Sequence, residues 1–151
     1  MGEYDTLIQA VAASGEDMFW LGPAETAQIE RLQKLLDVKL PTAFQEFLRS
    51  YGGGGVVGCE ISGIENNDAT IARGGSVLWG TEQCRQRFGL PRHLVVIYFH
   101  EDEICWCLDT SRVHDDECPV VSYDVFKQRV DRCLSSSFRE FFIQYLRLRT
   151  N

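Results

Sequence analysis

"LRSYGGGGVVG", residues 48–58, decides how the chain is read. An apolar helical pattern runs directly into four consecutive glycines. A phosphate-binding loop needs a strand before the glycines, a helix after them and, as a rule, a Lys–Ser/Thr pair at its end. Here the order is reversed. Phe44, Phe47, Leu48 and Tyr51 lie at helical spacing before the glycines, and Val56–Val57 follow where a lysine would be needed. The run is therefore read as architectural. Gly52 or Gly53 stops the helix in a left-handed conformation that side chains resist, and the others allow a tight reversal into a strand packed against that helix.

Working outward, Pro41 opens this helix. Before it, Ile29, Leu32, Leu35 and Leu36 form the apolar face of another helix, with Pro23 placed in its first turn. Tyr4, Leu7, Ile8 and Val11 predict a short amphipathic helix at the start. After the glycines, Val56–Val57 and Glu60–Ile64 read as paired strands. Leu94–Phe99 is a buried strand, His100–Glu101–Asp102 a turn and Glu103–Asp109 the returning strand. Val120–Tyr123 is a further strand. Ala69–Phe88 stays open: Val77, Thr81, Cys84 and Phe88 fit one helix face, but Gly74–Gly75 interrupt anything longer. Ser137–Phe138–Arg139–Glu140 is a capping box, and Phe138, Phe141, Phe142, Tyr145 and Leu146 make a wide apolar stripe behind it. The expected fold is α+β: one domain over residues 1–151, with a central, mostly antiparallel sheet and the N- and C-terminal helices packed around it.

The composition is that of a globular domain, with 44% hydrophobic and 25% charged residues. No apolar run is long enough to cross a membrane. Residues 1–5 lack the basic start and apolar core of a signal peptide, so the expected location is the cytoplasm. The six cysteines are accordingly read as reduced and mostly buried. The formal charge is −7, unevenly placed: residues 94–121 hold seven acids and one arginine, whereas residues 123–151 carry net +3. Such a balance argues against nucleic acid as a direct partner, because phosphate contacts need lysine and arginine. It fits a surface for a basic protein. Glu101, Asp102, Glu103, Asp115, Asp116 and Glu117, in two predicted loops, are the candidate partner-binding residues, with the aromatic edge around Phe19 and Trp20 as the alternative face.

His100, Cys105, Cys107, His114 and Cys118 raise the question of zinc. Cys-x-Cys on a strand places its thiols on one face but about 7 Å apart along the chain, at roughly 3.3 Å per residue. Sulfurs sharing a tetrahedral zinc lie under about 4 Å apart. The expected alternative is a central strand buried on both sides, with Cys105 and Cys107 on one face and Ile104, Trp106 and Leu108 on the other. No spaced carboxylate pair, nucleophile elbow or metalloprotease motif occurs, and the chain is read as a non-enzyme without cofactor, catalytic residue or metal.

Four segments, taken in order, resemble the SUKH superfamily. "IERLQKLLDVKLPTAFQEFLRSYGGGG" is similar to its opening motif, with Leu40, Pro41, Phe44, Phe47, Leu48, Tyr51, Gly52 and Gly53 at the motif positions. "LPRHLVVIYFHEDEICWCLDTSR" is similar to its central hairpin. "DDECPVVSYD" and "SSSFREFFIQYL" are similar to its last strand and its closing helix, which begins at Phe138. The resemblance implies a bacterial immunity protein that binds and neutralises a cognate toxin domain, often a nuclease, by stoichiometric contact. The alternative it implies is a general protein-interaction or regulatory module with an intracellular client.

Overall fold

The computed structural model describes residues 2–150. Among them the chain forms five α-helices and six strands. In order these are α1 (Asp5–Ala13), β1 (Met18–Trp20), α2 (Thr26–Leu36), α3 (Thr42–Tyr51), β2 (Gly54–Val56), α4 (Val77–Phe88), β3 (Leu94–His100), β4 (Ile104–Asp109), β5 (Val120–Asp124), β6 (Arg129–Ser135) and α5 (Phe138–Arg147). Strands β3 to β6 form an antiparallel meander in sequence order, and β1 pairs antiparallel with β2. The class is α+β, as expected.

The meander is covered on both faces. On one side Val95, Ile97, Leu108 and Val120 join the core that α2, α3 and α5 build. Its centre is aromatic: Phe138 lies 4.9 Å from Phe44 and 5.0 Å from Phe47, centroid to centroid, and Phe142 lies 5.0 Å from Phe47. On the other side Cys84 of α4 packs with Val96, Cys105, Cys107, Val121 and Tyr123. The cover on this second face comes from the middle of the chain, not from either end. Strand β4 is central between β3 and β5, so its alternating residues are divided between two cores.

Several boundaries differ from the sequence reading. Helix α2 starts at Thr26, with Glu25 as the residue before it, so Pro23 lies outside the helix. Leu35 faces solvent. Met18–Trp20 is a strand, and it, not Glu60–Ile64, is the main partner of β2; the latter segment contributes a single bridge, Gly54 to Ile61. The sequence pattern does not predict strand β6. Its residues 129–133 are exposed, and charged side chains on both faces erase the period-2 signal, as is common on sheet edges. The opposite edge, β3, is partly closed: the Val96 N–H donates to Thr81 Oγ1 of α4 (3.0 Å), and the Ile97 carbonyl accepts from Ser62 N–H (2.8 Å). At α5, Ser137 Oγ accepts from Glu140 N–H (3.2 Å), while the Glu140 carboxylate takes the Ser136 hydroxyl (2.6 Å) instead of reaching back to the Ser137 N–H. Half of the capping box forms.

The four glycines do not make a tight reversal. Gly52 closes α3 with φ 76°, and the chain then continues as a ribbon bonded on both sides. Leu21 N–H donates to Gly53 O (2.9 Å) on the β1 side. On the other side Gly54 and Ile61 exchange bonds (2.8 and 2.9 Å), and Ile64 N–H donates to Gly52 O (2.7 Å). A third element meets the ribbon from α5: the Tyr145 hydroxyl accepts from Val56 N–H (2.9 Å) and donates to Cys59 O (2.7 Å). A β-carbon on Gly52 would collide with the Gly22 carbonyl, and one on Gly54 with the Phe19 carbonyl.

Gly54→Ala is expected to destabilise the fold by more than ~2 kcal/mol, since a backbone displacement adds to the positive-φ cost. Tyr145→Phe is expected to cost about 1–3 kcal/mol, because the buried Val56 N–H loses its acceptor. Urea midpoints check both, and a loss below ~1 kcal/mol for Gly54→Ala would show that the ribbon tolerates a side chain.

Candidate functional site

The two acidic loops lie at opposite ends of β4, because β3, β4 and β5 run antiparallel in sequence order. At ~3.3 Å per residue, six residues of β4 separate them by roughly 20 Å. Glu101, Asp102 and Glu103 form the β3–β4 turn, with Glu101 and Asp102 both left-handed (φ 54°). Asp102 receives both terminal nitrogens of Arg87 on α4 at 3.2 Å, and the same guanidinium sits 4.9 Å from the Phe88 ring centroid. Glu101 approaches His100 Nε2 at 3.6 Å.

Asp115, Asp116 and Glu117 occupy the β4–β5 connection, where His114 and Glu117 exchange backbone bonds (2.8 and 2.9 Å). Glu117 turns toward α3. Its Oε2 accepts from Ala43 N–H (3.0 Å), and the Asp116 carbonyl accepts from Thr42 N–H (3.0 Å). These are first-turn donors of α3, which have no intrahelical acceptor. Pro41, the residue before the helix, has no side chain able to supply one, so the loop caps the helix from 74 residues away. Burial raises the Glu117 pKa above the usual carboxylate range; the Ala43 bond opposes this, and Glu46 and Asp116 add to the rise. Of the motif residues, Leu40 is buried behind this cap, Pro41 precedes α3, Gly52 and Gly53 start the ribbon, and Phe138 opens α5 in the aromatic core.

The cysteines correct the spacing argument. Cys105 Sγ lies 3.7 Å from Cys107 Sγ and 3.8 Å from Cys84 Sγ. The ~7 Å figure describes the backbone rise, and two side chains on one face can lean together. Among the described residues, however, no group of three or more His, Cys, Asp or Glu is arranged to hold a metal ion. Three of the buried thiols, Cys84, Cys105 and Cys118, are also held protonated. Hydrogen bonding to Cys105, then burial, drives the Cys84 pKa upward, and burial pushes Cys118 up to about 12. Thiols held protonated in this way are poor nucleophiles at neutral pH. All six cysteines are free; four are buried, Cys59 is half-buried and Cys133 is exposed.

A concave feature with three aromatic side chains lies elsewhere, at the outer edge of β3. It is a cleft of about 410 Å³ between the β1–β2 pair, residues 58–62 and the Gly74–Gly75 turn. Phe19, Ile61, Tyr98 and Phe99 supply apolar wall; Glu60, Glu65 and His100 supply polar groups. Phe19 is 53% exposed. Trp20 turns the other way and packs on Tyr51 at 4.6 Å, so only half of the expected aromatic edge faces out. Glu60 accepts from Gly58 N–H through one oxygen (3.0 Å), and Glu65 is held by Arg73 (2.9 Å) and Gly75 N–H (3.2 Å). No local pattern marks Glu60, Tyr98 and His100 as neighbours; they meet only through the Gly54–Ile61 bridge and the Ser62–Ile97 bond.

Two outcomes check these assignments. Glu117→Ala is expected to destabilise the fold by about 1 kcal/mol through loss of the α3 cap. Glu117→Gln keeps an acceptor and is expected to be as stable as wild type, or more so, at neutral pH. A carboxyl whose pKa is raised on folding stabilises while protonated: that contribution is complete below the unfolded pKa and lost as pH rises through the folded one. The wild type but not Glu117→Gln should therefore lose it above pH ~4.3, which chemical denaturation across pH 3–7 will read. Separately, a thiol reagent should label Cys133 first and Cys59 next in the native protein, with the other four reacting only on unfolding. Rapid native labelling of three or more would contradict the burial.

The family comparison spans almost the whole of this architecture. The model SUKH_5, described as SMI1-KNR4 cell-wall, matches residues 5–147, from the first residue of α1 to the last of α5. The family is generally one of non-catalytic protein-interaction domains. Among the described residues no helix is long and apolar enough to cross a membrane. With its glycine-terminated α3, its β3–β4 hairpin and its aromatic closing helix in family order, the chain belongs to the SUKH_5 family of the SUKH superfamily.

Proposed function

We propose that this protein is a bacterial immunity protein. It acts in the cytoplasm, where it binds a cognate toxin domain one to one and neutralises it. The observation that carries this reading is the family match over residues 5–147. Charge supports the nuclease class of toxin: a nuclease is basic where it meets phosphate, and a chain of net charge −7 can occupy that region and accelerate encounter. Nothing larger than an ordinary interface is required, about 800 Å² per partner, against a total accessible surface of 7817 Å². The description of the family as cell-wall related favours a second reading, a regulatory interaction module with a non-toxin client.

Co-expression with any toxin domain that is encoded beside its gene separates the two. Immunity predicts restored growth, a one-to-one complex on size exclusion and loss of nuclease activity at equimolar ratio. A toxin domain that stays active and uncomplexed in the presence of excess protein would refute it.

A further inference from the structure

The cleft at the outer edge of β3 has a composition that selects a ligand. Its walls combine an outward-facing aromatic ring, Phe19, with the buried aromatic Tyr98, and its polar side chains include the carboxylates of Glu60 and Glu65. Among the described residues none of the side chains lining it is lysine or arginine. Its volume falls within the ~300–1,000 Å³ of ordinary ligand sites. The groove lined by the β3–β4 turn and by β4, β5 and β6 differs: Glu103, Asp124, Asp131 and Arg132 bring both signs of charge to it, and no single partner chemistry follows.

We propose that the Phe19 cleft is the docking site for the partner protein and that it takes an arginine side chain from a basic loop of that partner. The guanidinium lies flat on the Phe19 ring and bonds the Glu60 carboxylate. Arginine is specified over lysine because its planar, weakly hydrated cation stacks on aromatic faces and bonds carboxylates through a fork, whereas an ammonium is compact and strongly hydrated. The molecule already contains this arrangement within itself. Arg87 sits against the Phe88 ring while bonding Asp102 through both terminal nitrogens, and Arg149 stacks 4.0 Å from the Tyr145 ring centroid. Arg73, which does not itself line the cleft, meets the lining Glu65 carboxylate at 2.9 Å, so Glu60 is the lining acid without such a partner among the described residues. In the cleft itself the ring and the Glu60 acid are present without such a cation.

The proposal deepens the immunity reading and rests on it for the identity of the partner, so two probes are used. The first is a small peptide, acetyl-Gly-Arg-Gly-amide, titrated into the intact protein at low salt and followed by backbone amide shifts. Saturable shifts at Phe19, Glu60, Gly75 and His100, absent with the uncharged citrulline analogue and lost in Phe19→Ala and Glu60→Gln, are the expected result. Equal response to the citrulline peptide, or shifts confined to another face, overturns the proposal. The second probe is any toxin domain that is encoded beside the gene. Both variants are expected to bind it at least about tenfold more weakly, the scale of one lost central contact. If the toxin binds wild type and both variants equally, the cleft assignment fails while the immunity reading stands. If the toxin does not bind wild type, the immunity reading fails, and the peptide titration still decides the cleft. Thermal melts of the two variants verify that each is folded before either comparison is made.

Discussion

Backbone contact without side chains, over residues 52–55, is the constraint on which the other elements depend. Three segments reach the ribbon or its continuation at hydrogen-bonding distance: β1, residues 61–64 and the Tyr145 hydroxyl of α5, which accepts from Val56 N–H. Most of their contacts are peptide to peptide, and they close only where no β-carbon intervenes. The ribbon thus sets the position of α5 relative to α3, and through it the aromatic stack of Phe44, Phe47, Phe138 and Phe142. It also ties the small β1–β2 pair to the larger meander, since the 61–64 segment bonds both Gly54 and Ile97.

The parts of the fold legible from sequence are those whose signal is local. Helices α3 and α5 declare themselves by apolar spacing and terminal residues, and β3 by its β-branched run. Cys105 and Trp106 are rightly assigned to opposite faces of a central strand, because alternation is a one-strand property. What was not legible depends on distant partners. Strand β6 has charges on both faces because it is an edge. Glu117 looks like one of three loop acids, and nothing near it announces that α3 lacks a cap. Sulfur proximity in the cysteine trio could not be read from backbone rise, since side-chain direction and the approach of α4 set it.

This bears on the meaning of net charge. Much of the acidity in residues 94–121 is engaged within the fold. Asp109, 6% exposed, bonds the Ser111 N–H and hydroxyl, Asp102 bonds Arg87, and Glu117 caps α3. Asp115 and Asp116 adopt left-handed conformations that short polar side chains tolerate better than most. Clustered acids in a sequence therefore measure the number of tight turns as much as the presence of a docking face. A binding face is better sought where carboxylate and exposed apolar surface coincide.

Phe19 satisfies that criterion for a reason traceable to the ribbon. Strand β1 has three residues, and its alternation turns Met18 and Trp20 inward and Phe19 outward. A slip of one residue against β2 would reverse this, exposing Trp20 and burying Phe19. The register is held by the pairs Met18–Val56, Phe19–Gly55 and Trp20–Gly54, and by Trp20 packing against Tyr51 and Phe142. A one-residue slip would bring only Gly53 or Gly55 opposite Trp20, so the glycines themselves do not select the register; the inward packing of Trp20 does. The exposed ring is thus fixed in place by the neighbouring Trp20, which packs on Tyr51 and Phe142. A recognition surface built on such a support loses little conformational freedom when a partner binds, which is the condition under which a small cleft can contribute measurable affinity.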